Sequence, residues 1–288
     1  MGEAQHSQLN RFPEACMLLL QSQEDHSDSG GAFCHYPAIP PPVDVRLVSL
    51  PEHDCSYLPG RPAMSRAFYA RELPAELYHD FMDAGFRRSG KVIYQPACRG
   101  CRACLPLRVL VGKFQPGKSQ RRCLRRNADL VVTEGSPEAT DEKFALYRRY
   151  VSEWHGGTPK PGDDDRESFE AFLYDSPVQT IEFNYRTADE RLVAVGICDV
   201  CVHSLSSVYF FFDPSESRRG LGTFGALQEL AWAATAKVAF YYLGYWVSGC
   251  QAMEYKLSYR PNEILHPDGI WRASADPAPD GIGEQLPT

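Results

Sequence analysis

The feature that most limits how this chain can fold is the order of apolar runs in its second half. Residues 178–185 and 192–199 read as strands, the latter nearly continuous in Val, Ala and Ile. Residues 205–212, LSSVYFFF, form a third strand, aromatic and β-rich enough to be buried on both faces. A turn at Asp213, a loop containing Gly220 and Gly222, and an amphipathic helix follow, and residues 240–247, FYYLGYWV, make a fourth strand. That order sets the fold class as α+β. Glycines before a helix suit either a phosphate cradle, where backbone N–H groups face an anion, or a plain tight turn.

The first half is organised around a different signal. Cys98, Cys101 and Cys104 form a Cys-x-x-Cys-x-x-Cys run, and between Ala84 and Ala128 there are twelve basic side chains and no acidic one, in a chain whose formal net charge is -7. With no acids interspersed to form surface pairs, a basic segment of this kind reads as a polyanion-binding face rather than a solvated one. Upstream, Pro74 opens a helix with Leu77, Phe81 and Met82 on one face and Gly85 as its stop, so Arg87, Arg88 and Lys91 fall just beyond its end. Downstream, residues 106–114 form a strand, and Ser119 caps a helix on which Arg121, Arg122, Arg125 and Arg126 recur at i, i+3, i+4 spacings. A helix is expected over 141–154 and another over 167–174.

At 288 residues and 43% apolar composition, two domains of about 150 residues each are expected. The expected division is an irregular leader over 1–43, a smaller cysteine-containing, basic α/β domain over 44–135, a transferase-like domain with a mixed sheet over 136–272, and a flexible tail over 273–288. Ten cysteines in a chain this long read as reduced thiols in a cytoplasmic protein. No apolar run approaches the roughly 20 residues of a membrane span.

The strand, strand, strand, glycine loop, helix, strand order resembles the core of the GNAT-type acetyltransferases. That family's loop usually opens with Arg or Gln, and here Ser217 stands in that place, which counts against a coenzyme A pyrophosphate. Four further segments make a closer match: CSYLPG from Cys55, PACRGCRACLPLRV from Pro96, SQRRCLRRNADL from Ser119, and the C-terminal runs SLSSVYFFFDPS and YYLGYWVSGCQAMEYKLSYRP. Together, from about Val48 to Trp271, these resemble the aminoacyl-tRNA-protein transferases, and among them the bacterial aspartate/glutamate leucyltransferases. The resemblance implies transfer of leucine from leucyl-tRNA to the α-amino group of proteins beginning with Asp or Glu, which marks them for degradation. Leucyl and arginyl donors are separated only by the resemblance. An acetyl-CoA-dependent N-acetyltransferase and a non-enzymatic, zinc-dependent nucleic-acid-binding module remain as alternatives.

The implied reaction is aminolysis of an ester by an amine of pKa about 7.7–8.0, so a site must take the amine's proton and stabilise the oxyanion. No cofactor is required for that chemistry. Candidate residues are Tyr255, Lys256 and Asp213 for catalysis: Lys256 for the acceptor's acid or the oxyanion, Tyr255 as a hydrogen-bond donor or stacking on the terminal adenine, Asp213 for gripping the amino group. Tyr255 also suits the core, and Asp213 a turn before Pro214. Arg260, Arg87 and Arg88 are candidates for the acceptor's carboxylate, since a guanidinium offers it a two-pronged donor. The tRNA is expected on Arg121, Arg122, Arg125, Arg126, Arg218, Arg219, Gly220 and Gly222. Cys55, Cys98, Cys101 and Cys104 offer four thiolates for zinc or an iron–sulfur cluster, for redox sensing, or simply for packing; related eukaryotic transferases resemble the first case. His155, a weak base candidate, and the acidic triplet Asp163–Asp165, a solvated loop or a Mg²⁺ site, complete the set.

Overall fold

The computed structural model describes residues 45–154 and 165–274. The expected leader, His155, Asp163, Asp164 and nearly all of the expected tail lie outside the described residues. In chain order the first part carries β1 (Val48–Ser49), β2 (His53–Asp54), β3 (Pro62–Ala63), β4 (Ser65–Tyr69), α1 (Ala75–Asp83), β5 (Arg87–Ser89), β6 (Val92–Pro96), β7 (Cys104–Leu110), α2 (Lys118–Arg126) and β8 (Val131–Gly135). The second carries α3 (Asp141–Arg149), α4 (Arg166–Leu173), β9 (Thr180–Arg186), β10 (Leu192–Val200), β11 (Ser204–Phe212), α5 (Leu221–Thr235), β12 (Phe240–Val247), α6 (Gln251–Glu254), β13 (Asn262–Leu265) and β14 (Trp271–Ala273).

An eight-stranded sheet, in the order β14-β13-β7-β12-β11-β10-β9-β8, forms the centre. From β8 to β11 it is an antiparallel ladder, and β12, returning after α5, pairs parallel to β11. This α+β arrangement with a mixed sheet is the fold class that the strand order led us to expect. Continuous apolar composition explains why β10 sits mid-sheet, where all but one of its residues are buried. Helix α5 lies close against the sheet because Gly225 faces Phe210: a Cβ at Gly225 would lie 2.2 Å from that ring.

The position beyond β12 is filled by β7, which pairs antiparallel with both β12 and β13. Both β7 and β8 precede residue 136, so the large sheet runs across the expected domain boundary. What stands apart from it is a four-stranded sheet, β1-β4-β6-β5, packed with α1. Helix α1 buries Tyr78, Phe81 and Met82 against that layer, as its apolar spacing requires. The small sheet is pinned to the large one by the fully buried pair Arg88–Asp199 and by Arg108. That guanidinium is sandwiched 3.9 Å from the Phe240 ring and 4.2 Å from the Trp271 ring while pairing with Asp83 and Glu263.

Two local details differ from the sequence reading. Ser119 does not cap α2; the helix begins at Lys118, and Gln120 reaches back to accept from the Gly117 N–H at 2.7 Å. The helix expected over 141–154 is α-helical only to Arg149 and continues as a π-helical turn, Tyr150–Trp154. Asp165, the described member of the acidic triplet, caps α4 by accepting from Ser168.

Candidate active site

The site is built where β11 and β12 part. Their parallel pairing runs only from Ser204–Phe240 to Ser206–Tyr242. Past that rung, Val208 is an extra residue of β11 with no opposite number on β10, because Ile197 pairs with Tyr209 and Cys198 with Ser207. On β12 the register shifts between Tyr242 and Tyr245, and Gly244 within the shift has φ +79°, a left-handed conformation that glycine adopts at little cost. Ladder bonds lost at the gap are replaced by side chains. Arg87, from β5, donates its Nη2 to the Ser207 carbonyl, and Lys256 donates its Nζ to the Tyr245 carbonyl at 2.8 Å.

Lys256 is buried, and burial together with the nearby Arg87 charge lowers it to about 7, against an opposing pull from Cys104 and Cys250. Tyr255, next in line, is 48% exposed, and protein packed around its hydroxyl, together with Glu229, pushes its pKa up to about 12. It therefore stands at the surface rather than in the core, with Tyr259 edge-on at 6.4 Å between ring centres. Below the gap, the buried Glu229 of α5 accepts from the Tyr241 hydroxyl. Burial pushes Glu229 up, while hydrogen bonds from Tyr241, Cys198 and Ser207 hold it down. One carboxyl thus touches β10, β11 and β12 at the level where the last two diverge.

At the open end of the sheet, a 3₁₀ turn (Pro214–Arg219) and Gly220, at φ +69°, lead into α5. The basic helix α2 buttresses this loop. Arg126 donates to the Arg218 carbonyl at 2.7 Å, Asn127 to the Arg219 carbonyl at 3.0 Å, and the Cys123 thiol to the Gly220 carbonyl. Arg121, Arg122, Arg125, Arg126 and Arg218 are exposed and carry no ion pair among the described residues. Gly222 is open too, with nothing near the position of a Cβ. These cations adjoin the N-terminus of a helix, whose first N–H groups lack partners within it.

Several expected site residues are committed elsewhere. Arg88 does not face a ligand: its Nε and Nη2 bind both oxygens of Asp199 at 2.7 and 2.6 Å in a fully buried pair. Arg219 is neutralised by Asp129 and Glu216. Asp213 is 2% exposed and its two oxygens are taken, one by Ser215 and one by Arg149 and Arg191. Burial works against its charge, yet the Ser215 hydrogen bonds and the two guanidiniums hold it below the usual carboxylate range. Asp213 orders the loop; it has no free oxygen for an incoming amine. Arg260 is exposed and donates to the Leu257 carbonyl at 3.2 Å.

Burial first, and then the other nearby thiols of the set Cys55, Cys98, Cys101 and Cys104, push the Cys98 and Cys104 thiols up. None of the four is in a disulfide. Cys98 lies between the Met64 N–H and carbonyl, and Cys55 accepts from the Leu58 N–H. No group of three or more His, Cys, Asp or Glu among the described residues is arranged to hold a metal ion, and no step is assigned to one.

Gly244, Ser207 and Glu229 escaped the sequence reading. A glycine inside an otherwise aromatic strand was the available signal for the first, since it marks a bulge or a close approach. Nothing local marks Ser207 or Glu229.

The chain resembles known proteins over most of its length. Family models described as the N terminus and the C terminus of arginine-tRNA-protein transferase match residues 53–122 and 142–266. Among curated proteins, the aspartate/glutamate leucyltransferase of Saccharophagus degradans is 40% identical over 225 residues, 77% of this chain and 94% of its own length. That of Pseudomonas fluorescens is 42% identical over 224 residues, again covering 77% and 94%. Solved structures are similar only remotely. FemX has a TM-score of 0.39 at 8% identity, over 60% of each chain, and L-PGS from Bacillus licheniformis 0.36 at 14%, over 62% of this chain and 52% of that one. No helix among the described residues is long and apolar enough to cross a membrane. With both halves of a transferase model matched and such identity over most of its length, this chain belongs to the aspartate/glutamate leucyltransferase family and is an aminoacyltransferase.

Proposed function

We propose that this chain transfers leucine from leucyl-tRNA to the α-amino group of proteins beginning with Asp or Glu, in the cytoplasm, as a step that marks those proteins for degradation. The observation that carries the reading is the parting of β11 and β12 beside the exposed arginines of α2 and the first turn of α5. A tRNA 3′ end laid along that basic face brings its ester to the gap. Backbone groups around the bulge at Val208 then lie in place for the ester's developing oxyanion.

The strand segments past the last rung, residues 207–212 and 243–247, offer aromatic and aliphatic side chains apart from Ser207 and Gly244. The cations at the gap are Arg87 and Lys256. That setting suits a leucyl side chain and repels an arginyl one. The acceptor's ammonium group first gives up one proton; the neutral amine then attacks the ester carbonyl, the C–O bond to the ribose breaks, and a second N–H proton passes to the leaving ribose oxygen, so one proton is released overall. Two positioned substrates supply much of the acceleration without a covalent intermediate or a metal.

The test is peptide aminoacylation with tRNA charged separately with labelled leucine or arginine, and peptides beginning with Asp, Glu or Ala. Leucine on the Asp and Glu peptides alone is the expected result. Arginine in its place would correct the donor, and no transfer of either label would overturn the reading.

A further inference from the structure

We propose that Arg87 and Lys256 form one anion site, floored by Gly244, that seats the side-chain carboxylate of the acceptor's first residue. The proposal rests on the transferase reading above and names where that substrate's acid is held.

Five cationic side chains are buried among the described residues: Arg87, Arg88, Arg108, Lys143 and Lys256. Three have carboxylates, Arg88 with Asp199, Arg108 with Asp83 and Glu263, and Lys143 with Glu182. The two that have none are neighbours. A Cβ placed on Gly244 would lie 3.6 Å from Lys256 Nζ and 3.7 Å from Arg87 Nη2, so both cations face the same side of that glycine. Burying a charge without a partner is costly, and burying two side by side is costlier. The fold tolerates them with only the Ser207 and Tyr245 carbonyls as acceptors.

One donor is left over. Arg87 Nη1 is buried and has no hydrogen-bond partner. That N–H and the ammonium of Lys256 give two directed donors for the two oxygens of one carboxylate. Gly244 leaves vacant the approach that any other side chain would occupy. The depressed proton affinity of Lys256 fits an unfilled site, since an entering carboxylate favours the charged amine. A carboxamide would leave both charges uncompensated, so the pair discriminates Asp and Glu from Asn and Gln.

The test is direct binding, by calorimetry at neutral pH, of peptides identical except for an initial Asp or Asn. It uses the wild-type protein, Arg87→Gln and Lys256→Met, with leucyl-tRNA binding measured alongside. The wild type is expected to favour the Asp peptide by about tenfold or more, the ordinary worth of a hydrogen bond to a charged group. Each substitution should abolish that preference, bringing the Asp-peptide affinity to that of the Asn peptide. Lys256→Met keeps the side-chain length, so it answers the question even if Arg87→Gln fails to fold. A preference that survives both substitutions overturns the proposal. So does a loss confined to tRNA binding, which would make the pair a phosphate site. Because binding is read without turnover, a protein that transfers no leucine would sink the transferase reading separately.

Discussion

Arg88 and Asp199 meet with no solvent exposure on either side chain, through hydrogen bonds of 2.7 and 2.6 Å, and they tie the small sheet to the middle of the large one. Arg87, one residue earlier in the same strand, reaches the Ser207 carbonyl of the neighbouring β11 and finds no acid. The strand to which each guanidinium reaches therefore separates a structural cation from a ligand-seeking one. Asp199→Ala should leave the Arg88 charge buried and unpaired, costing about 3–5 kcal/mol. Urea unfolding measures this directly, and a loss below about 1 kcal/mol would show that the pair does not hold the layers together.

The contact of Gly225 with Phe210 sets the distance between α5 and the sheet. Gly225→Ala puts a methyl group 2.2 Å from that ring and should cost about 1–3 kcal/mol through overpacking. Phe210→Leu, added to Gly225→Ala, should recover part of the loss in a double-mutant cycle. Additive losses would mean that the two residues do not meet.

Arg122 and Arg125 are exposed and free of ion pairs among the described residues, whereas Arg219 lies between two carboxylates. Replacing Arg122 and Arg125 by Gln should leave melting unchanged and lower the salt slope of tRNA binding by about one unit per lost phosphate contact. Replacing Arg219 should do the reverse, moving stability more than the slope. Equal salt slopes for wild type and the Arg122/Arg125 variant would remove α2 from the tRNA surface.

Burial and then the Arg87 charge lower Lys256 to about 7 in the free protein, with Cys104 and Cys250 raising it. It is charged below that pH and neutral above it. Affinity for an Asp-initiated peptide should therefore be highest on the acid side and fall as pH rises through 7, by up to about tenfold per unit. The Asn-initiated peptide should show no such fall, and Lys256→Met should abolish it. A flat profile for the Asp peptide would mean that Lys256 does not face the acid.

The strand order and the large helix were legible because they follow from local pattern. Residues 192–198 carry no polar side chain, and such a run has few places to go except the middle of a sheet. The exposed arginines of α2 could be placed on one face by helical spacing alone. Their removal from the acidic remainder of the chain marked them as a surface before any fold was known.

Side-chain commitments across the molecule could not be read that way. Asp213 and Arg219 look available in the sequence, yet each is occupied by partners that include residues far along the chain, Arg149 and Arg191 for one and Asp129 for the other. Arg87 and Arg88 are chemically identical neighbours, and only the packing of β5 against β10 and β11 gives an acid to one and a bare carbonyl to the other. The sequence by itself determined which elements form and where basic charge accumulates, because both depend on residues close together in the chain. Only the tertiary structure decided that β7 completes the large sheet and that Arg87 and Lys256 converge over Gly244, because those contacts join segments more than a hundred residues apart.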